Sequence, residues 1–223
     1  MTLYVINPNS SAHVTDGIDR AVDPLRAWGH PIRCLTLAEG PPGIETDVHV
    51  AGVVEPQLRL ARSLPDASGI VSACFSDPGV AELREALTVP VIGIREAAVT
   101  QALTLGQRFG VIAIGEASVR RHLAAFERMG LTARLAGDRP LGLSVLELSD
   151  RHRTLVRMVE VGLALRDEDR ADVLIMGCAG MAEYRSEIEA ATGLPVVEPC
   201  QAAVALALGR ITLGLVHGGS AHA

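Results

Sequence analysis

The chain contains an internal repeat in which a cysteine holds the same position in each copy. The segment Gly69–Leu103 aligns with Asp172–Leu208 when the cysteines are matched and one extra residue is allowed in the second copy. Each copy reads as an apolar run ending in Cys, a loop, an amphipathic helix, a short strand opened by Pro and a helix opened by Ala-Ala-Val. Cys74 and Cys178 stand 104 positions apart, close to half of the 223 residues. A duplicated fold would place them symmetrically across the junction of two halves.

Strand signals alternate with helical patterns along the whole chain, which predicts mostly parallel sheets with helices on both faces. Continuous apolar runs such as 173–176 are typical of strands buried on both faces. The predicted fold class is α/β, with two pseudo-symmetric doubly wound lobes that each contain a mostly parallel four-stranded sheet. The active site is expected in the cleft between the lobes. Residues 1–97 plus 206–223 are assigned to the first lobe, and residues 98–205 to the second.

The predicted elements follow from these patterns. Strands are expected at Leu3–Asn7, Ile32–Leu37, Gly69–Ala73, Pro90–Ile94, Phe109–Gly115, Thr132–Leu135, Val173–Gly177 and Pro195–Glu198. Helices are expected at Ala12–Trp28, His49–Ser63, Val80–Ala86, Glu96–Leu105, Ala117–Met129, Arg153–Arg166, Ala182–Thr192 and Gln201–Val216. The tail from Gly218 onward is expected to be frayed.

Charge and hydropathy narrow the partners to small molecules. The net charge is −6, and the charged residues are interspersed without runs of one sign, which argues against a nucleic-acid surface. No apolar stretch reaches the roughly 18 residues of a membrane span. The chain opens on a strand pattern without the basic region of a signal peptide, so a cytoplasmic location is expected. A homo-oligomer is the default expectation for a soluble enzyme.

Cysteine and lysine usage limit the chemistry. The four cysteines include no Cys-x-x-Cys pair, which argues against a structural zinc site, and they are too few for a disulfide framework. All twenty basic residues are Arg, so the chain cannot form an internal Schiff base with pyridoxal phosphate. Neither a metal nor an organic cofactor is therefore predicted.

Cys74 and Cys178 each follow a predicted strand directly and precede a loop and a helix. Oriented amides and the helix dipole at such a position favour a thiolate, which predicts a pKa below the ordinary value of about 8.5. The alternative is that both are small buried hydrophobic residues, as most free cysteines are. Their symmetric placement at two loop entrances favours the functional interpretation.

Two opposed thiols can remove a proton from one face of a carbon and return one to the other face. One sulfur starts as thiolate and its partner as thiol, and the two exchange roles at each turnover. The carbanion between them needs an adjacent carbonyl and preorganised donors. The amides of Phe75, Ser76, Ala179 and Gly180 are the predicted donors.

Five segments of the chain carry a resemblance to known proteins: INPNSS (6–11), GPPGIE (40–45), CFSDPG (74–79), PVIGIREAA (90–98) and GCAGMA (177–182). With these segments the chain resembles the aspartate/glutamate racemase superfamily, and within it the hydantoin racemase branch, which includes allantoin racemases. The resemblance spans nearly the whole chain, and the two cysteine segments with the opening Asn-Pro-Asn are its specific part. It implies cofactor-independent racemisation in a pseudo-symmetric α/β cleft, with Cys74 and Cys178 as the acid and base.

The residues that flank the cysteines bear on the substrate. Amino-acid racemases of the superfamily typically have polar residues after each cysteine and Asp near the end of the first strand. This chain has Phe75-Ser76, Ala179-Gly180 and Asn7 instead. A free ammonium and carboxylate would be poorly paired there, which buried sites tolerate badly. A neutral ring fits better, so a 5-substituted hydantoin or allantoin is the predicted substrate, with Asn7 as a hydrogen-bond partner or simply a turn residue.

Other residues have weaker assignments. Ser10, Ser11 and Ser118 could donate to the ring carbonyls, although Ser before a helix is usually an N-cap. The resemblance places Ile44 over the substrate side chain, and core packing is its alternative role. Asp77 is expected to cap the helix that follows Pro78. Cys34 and Cys200 are interpreted as structural, and none of the seven histidines adjoins a cysteine in sequence.

Alternative functions remain open on the sequence alone. An amino-acid racemase, a maleate isomerase and an arylmalonate decarboxylase of the same fold would use similar intermediates. The decarboxylases typically lack the first cysteine, which argues against them, whereas the maleate isomerases resemble this chain in having both. A non-catalytic protein that binds a small molecule is an alternative of another class. It predicts unreactive cysteines.

Overall fold

Two parallel four-stranded sheets, one from each half of the chain, form the framework of the protein. The computed structural model describes residues 1–218, so the expectation for the tail, residues 219–223, lies outside it. The strands are β1 Thr2–Asn7, β2 Ile32–Thr36, β3 Ala67–Ser72, β4 Val91–Gly93, β5 Phe109–Ala113, β6 Leu135–Pro140, β7 Val173–Met176 and β8 Val196–Val197. The sheets have the strand orders β2-β1-β3-β4 and β6-β5-β7-β8.

Helices follow the strands and cover the sheets, as parallel connections require. They are α1 Ala12–Val22, α2 Asp47–Gly52, α3 Val54–Arg62, α4 Val80–Ala86, α5 Ile94–Ala102, α6 Glu116–Arg128, α7 Arg151–Asp167, α8 Arg185–Thr192 and α9 Pro199–Leu213. Because both sheets have the same strand order, the repeat seen in the sequence is a repeat of the fold. The predicted pair of pseudo-symmetric α/β lobes is confirmed.

A continuous apolar core joins the two lobes. It contains Val5 and Val71 of the first sheet together with Val111 and Ile175 of the second, all with no exposed surface. Each such side chain contributes about 1.5–3 kcal/mol when fully buried. A second, smaller cluster that includes Leu83 covers the other face of the first sheet. Burial on both faces explains the uninterrupted apolar runs of the central strands.

Several predicted elements need correction. The single helix expected at His49–Ser63 is two helices, α2 and α3, that meet at Val53. The strand expected at Thr132–Leu135 is a 3₁₀ turn over Thr132–Arg134, and the strand follows at Leu135–Pro140. That edge strand is polar and only partly buried, so it lacks the apolar signal on which the prediction relied. The helix expected to run to Trp28 ends at Val22 and continues as a 3₁₀ turn that contains Pro24. Proline has no amide for the next α-helical hydrogen bond.

The last helix of each half packs against the sheet of the other half. Helix α5 ends the first half and contacts β7 and β8, whereas α9 ends the second half and contacts β1, β3 and β4. The two helices also pack against each other. The lobe boundaries expected at residues 97 and 206 therefore fall inside helices that connect the lobes. Within residues 1–218, none of the helices has both the length and the apolar character of a membrane span.

Candidate active site

A cleft lies at the carboxyl ends of β3 and β7, the third strand of each sheet. It encloses about 430 Å³, counted with the open solvent at its mouth. Eight residues singled out in the sequence line it: Cys74, Cys178, Ile44, Phe75, Ser76, Ser118, Ala179 and Gly180. Parallel strands bring their carboxyl ends to one edge, which explains why loops so distant in sequence meet here.

The loop that follows Cys74 is held by the beginning of α5. Asp77 accepts hydrogen bonds from the amides of Arg95 at 3.0 Å and Glu96 at 3.2 Å. It therefore caps α5 and not α4, the helix that follows Pro78, so the prediction for this residue was wrong about the helix. The sequence could not reveal this, because residues 77 and 95 meet only when β3 pairs with β4.

Close packing fixes the conformation of this loop. Asp77 has a φ of 49°, in the left-handed region that non-glycine residues rarely occupy. A Cβ on Gly93 would lie 2.3 Å from Asp77 Cγ, so only glycine fits there. The Arg95 guanidinium donates to the Ser76 carbonyl at 3.1 Å. Strained conformations of this kind persist when the surroundings overdetermine them, and here they fix the peptide next to Cys74.

Cys178 has a simpler setting. The chain continues directly into a 3₁₀ helix, Ala179–Tyr184, before α8 begins. The Gly180 amide donates to Cys178 Sγ at 3.4 Å. In the described residues 1–218, the amides of Phe75 and Ala179 donate to no acceptor, and both residues line the cleft. The residue directly after each cysteine thus has a backbone amide without an acceptor in the described residues.

Burial raises the pKa of both thiols, which corrects the expectation of lowered values. The pKa of Cys74 is raised to about 11, chiefly by burial and further by the charge of Asp77, although the Ser76 amide and hydroxyl act against the shift. The pKa of Cys178 is raised to about 12, again chiefly by burial, while the Gly180 amide lowers it. The charges of Cys74 and Glu45 also raise the pKa of Cys178. Of the four amides predicted as donors to a carbanion, that of Gly180 is bonded to Cys178 Sγ in this structure.

The raised pKa predicts slow alkylation with a steep dependence on pH. Only the thiolate reacts with iodoacetamide. In a Cys178→Ser variant, the alkylation rate of Cys74, mapped by mass spectrometry, should rise about tenfold per pH unit from about pH 7 to about pH 9.5. An ordinary cysteine with a pKa of about 8.5 would level off within that range. A plateau below about pH 9 would contradict the raised value.

Asn7 does not face the cleft, contrary to the prediction. Its Nδ2 donates to Asn9 Oδ1 at 2.9 Å and to Thr15 Oγ1 at 3.0 Å, and its Oδ1 accepts from the Asn9 amide. Asn7 is 1% exposed, and both polar atoms of its side chain take part in these internal hydrogen bonds. Asn7 therefore supports the loop and does not bind a ring.

Asn9 lines the cleft in its place. Its Oδ1 accepts from Asn7 Nδ2 and from the Ser11 amide, both at 2.9 Å. With the oxygen engaged, the amide nitrogen Nδ2 is the free end, and no acceptor within residues 1–218 bonds to it. The repeated Asn in the opening motif was a signal, but nothing in the sequence shows which of the two faces the cleft.

The three candidate serines have different roles. Ser11 is the N-cap of α1 and accepts from the Val14 amide, as the N-cap alternative predicted. Ser10 does not line the cleft, and its amide bonds to the Pro41 carbonyl, so its prediction as a substrate-binding residue is not supported by its position. Ser118 lies inside α6 and is not its N-cap, and its hydroxyl, which accepts from Arg121, lies at the wall of the cleft.

Arg121 of α6 bridges the lobes along one side of the cleft. Its guanidinium donates to the Glu45 carbonyl at 3.1 Å and lies 3.3 Å from the Asp47 carboxylate. It also donates to Ser118 Oγ at 3.2 Å and to Ser76 Oγ at 3.4 Å. The side chain is 15% exposed. These contacts join the two lobes beside the cleft, a role that no sequence pattern indicated.

His122 is a second cleft residue that the sequence analysis missed. Its Nδ1 lies 2.9 Å from Asp138 Oδ2, and its ring packs edge-on against Phe75 with 4.9 Å between centroids. Burial raises the pKa of Asp138. His122 follows Ser118 by four residues, so helical periodicity alone places both on one face of α6. That spacing was the available signal.

The remaining cysteines lie away from the cleft. Cys200 is fully buried in the core at the beginning of α9, and Cys34 packs against the same core. Both positions agree with the structural interpretation. Within residues 1–218, no group of three or more His, Cys, Asp or Glu side chains is arranged to hold a metal ion.

Known proteins resemble this chain over nearly its full length. The sequence-family model described as Asp/Glu/Hydantoin racemase matches residues 3–207. The chain is 31% identical over 220 residues to the hydantoin racemase of Paenarthrobacter aurescens, and the match covers 96% of this chain and 92% of that protein. It is 34% identical over 215 residues to the hydantoin racemase of Rhizobium meliloti, with 93% and 87% covered. The crystal structure of allantoin racemase from Pseudomonas fluorescens matches with a TM-score of 0.91 and 30% identity, and covers 97% of this chain and 93% of that one.

Proposed function

Because the chain belongs to the Asp/Glu/hydantoin racemase family, we propose that it racemises 5-substituted hydantoins or allantoin by proton exchange between Cys74 and Cys178. The observation that carries this proposal is the equivalence of the two cysteines. Each follows the third strand of its sheet, and both line one cleft. Two thiols related in this way can approach one stereocentre from opposite sides.

The reaction consists of two proton transfers. The thiolate of one cysteine takes the hydrogen from the ring stereocentre, and the electron pair of the broken C–H bond moves into the adjacent ring carbonyl to give an enolate. The thiol of the other cysteine then protonates the same carbon on the opposite face. The first sulfur ends as thiol and the second as thiolate, so the reverse reaction can start from the product.

Donors around the ring stabilise the enolate. Asn9 Nδ2, the amides of Phe75 and Ala179 and the Ser118 hydroxyl, which accepts from Arg121 and keeps its own hydrogen, are donors at the cleft. Preorganised donors at the position where charge develops usually make the largest single contribution to such reactions. The amides of Ser76 and Gly180 instead stabilise whichever sulfur carries the charge.

The substrate supplies the delocalisation that a cofactor would otherwise provide. A hydantoin acidifies its ring carbon through the flanking carbonyl, and its imide spreads the charge. The proposal therefore includes no cofactor and takes the small molecule as the partner at the cleft. The cytoplasmic location and the homo-oligomeric state expected from the sequence stay predictions.

Incubation of one enantiomer of 5-methylhydantoin in deuterium oxide tests the proposed function. The optical rotation should fall to zero, and deuterium should enter at the ring carbon as it does so. Chiral chromatography and mass spectrometry follow the two changes. A chain that binds the compound but neither exchanges its hydrogen nor inverts it would be a binding protein instead. Loss of carbon dioxide from an arylmalonate without proton exchange on hydantoins would favour a decarboxylase.

A further inference from the structure

His122 of α6 and Asp138 of β6 form a buried pair at the wall of the cleft. Their side chains are 2% and 1% exposed, and His122 Nδ1 lies 2.9 Å from Asp138 Oδ2. The His122 ring packs edge-on against Phe75, the residue after Cys74, so the pair lies on the Cys74 side of the cleft. The proton transfer between the two cysteines uses neither residue, which leaves the pair available for another role.

The surroundings of Asp138 give little support to a negative charge. Its Oδ1 is buried and has no hydrogen-bond donor among residues 1–218, where His122 is its single side-chain partner. Burial raises the pKa of Asp138 and the charge of Glu116 adds to this, although the hydrogen bond with His122 lowers it. A buried carboxylate that is neither paired with a cation nor fully hydrogen-bonded binds a proton instead.

The pair avoids a net negative charge by holding one hydrogen more than a carboxylate beside a neutral imidazole. Two arrangements have this composition. Either the Asp138 carboxylate accepts from Nδ1 of a His122 imidazolium, or a protonated Asp138 donates to Nδ1 of a neutral ring. An imidazolium carries hydrogen on both nitrogens, and a neutral ring that accepts at Nδ1 carries its hydrogen on Nε2. In both arrangements, therefore, Nε2 is a donor.

The Nε2 atom of His122 faces the cleft. The two nitrogens lie on different edges of the ring, so the bond from Nδ1 to Asp138 leaves Nε2 directed away from that carboxyl group. Nε2 has no hydrogen-bond partner in residues 1–218 and is not fully buried. The residue as a whole is 1% exposed and lines the cleft, so the exposed part belongs to the cleft wall.

Two further donors lie on the same side of the cleft. Ser118 precedes His122 by about one helical turn, so both lie on one face of α6. The Ser118 hydroxyl accepts from Arg121 and keeps its own hydrogen. Phe75, against which the His122 ring packs, has a backbone amide without an acceptor in the described residues. One side of the cleft thus presents three hydrogens.

We propose that His122 is a further catalytic residue, whose Nε2–H donates to the oxygen of the ring carbonyl next to the stereocentre. The inference rests on the proposed function, since that oxygen gains negative charge when the enolate forms. The hydrogen stays on Nε2, and the proton transfers remain between Cys74 and Cys178. Asp138 is a positioning residue, because it holds the ring through Nδ1. A donor to developing charge should act on kcat more than on KM.

Nitrogen-15 NMR of the full chain, labelled at histidine, tests the hydrogen on Nε2 directly. A ring nitrogen that carries hydrogen has a different chemical shift from one that does not. The signals that disappear in His122→Gln identify His122, and we expect its Nε2 to carry hydrogen at pH 7. A bare Nε2 would make His122 an acceptor for a ring N–H and would overturn the proposal. The measurement needs no substrate, so it does not depend on the proposed function.

The kinetic test removes and then restores the donor. His122→Phe keeps an aromatic ring between Phe75 and Phe126 but removes both nitrogens. We expect kcat for 5-methylhydantoin to fall about 10²-fold or more, with KM within about threefold of wild type. His122→Gln places an amide nitrogen near the position of Nε2 and should recover about tenfold of the loss. A Gln variant no faster than the Phe variant would indicate a structural role and reject the donor.

His30→Phe is the matched control. His30 bonds through Nε2 to Ser68 at 2.7 Å and does not line the cleft, so this variant should keep kcat within about twofold of wild type. Should His122→Phe fail to fold because Asp138 loses its partner, the double variant with Asp138→Leu replaces both polar groups by apolar ones, which costs little stability in buried pairs. We expect the same loss of kcat in the double variant.

The outcomes separate this inference from the proposed function. A wild-type kcat in His122→Phe or in the double variant would overturn the inference and leave the proposed function standing. Failure of the wild-type chain to exchange the hydrogen of 5-methylhydantoin would overturn both.

Discussion

Cys74→Ala and Cys178→Ala should each lower the racemisation rate by about 10³-fold or more, because each direction of the reaction needs one sulfur as base and the other as acid. Polarimetry of either enantiomer of 5-methylhydantoin measures the loss. The double variant should be little slower than either single variant, since the two groups act as a unit.

The single variants should retain a partial reaction that identifies the face each sulfur serves. The remaining thiolate can still remove the hydrogen from the enantiomer that presents it, exchange its proton with solvent and return deuterium to the same face. Cys74→Ala should therefore label one enantiomer with retention, and Cys178→Ala should label the other. Mass spectrometry after chiral separation would show this mirror-image pattern.

Cys34→Ala is the matched control for these variants. Cys34 is a partly buried cysteine that does not line the cleft, so its loss should leave the rate within about twofold of wild type. Labelling of the same enantiomer by both single variants would contradict the opposed arrangement. Wild-type rates in Cys74→Ala would remove that residue from the mechanism.

Asn9→Asp should lower kcat/KM by about 10²- to 10³-fold, which is the usual loss when one donor to a developing oxyanion is removed. The substitution keeps the size of the side chain, and its oxygen can still accept from Asn7 and from the Ser11 amide. It replaces the free Nδ2 donor with a second, negatively charged oxygen at the position of the enolate. Asn9→Ala removes the donor without adding charge and should fall between this variant and wild type.

Ser10→Ala is the matched control for Asn9. Ser10 belongs to the same loop but does not line the cleft, so its kcat/KM should be that of wild type. Denaturant unfolding of all three variants would show whether the loop stays folded. Activity of Asn9→Asp within about threefold of wild type would exclude Asn9 as the enolate donor.

The internal repeat made most of the fold predictable. Apolar β-rich runs such as Val173–Met176 and the regular alternation of strands and helices define a parallel sheet in each half. Matching the cysteines then places both at equivalent strand ends. These are local signals repeated at a fixed distance, which is the information that a sequence carries most directly.

Features that arise only from tertiary packing could not be predicted. Asn7 and Asn9 are two residues apart in one loop, and the direction of each depends on how that loop turns. The raised pKa values of Cys74 and Cys178 reflect burial between the lobes, whereas the sequence shows only the local amides that favour a thiolate. Arg121 lies in the second half of the chain, and only tertiary packing brings it to Ser76 and to the Glu45 carbonyl in the first half.

The crosswise placement of α5 and α9 has a consequence for how the molecule can come apart. The last helix of each half packs on the sheet of the other half. A fragment that ends at Ala102 would therefore contain α5 without the second sheet and the first sheet without α9. Two identical fragments could repair this by trading helices, in the manner of a swapped dimer. The full-length chain thus forms within one polypeptide the helix–sheet contacts for which a half-length chain would need a second molecule.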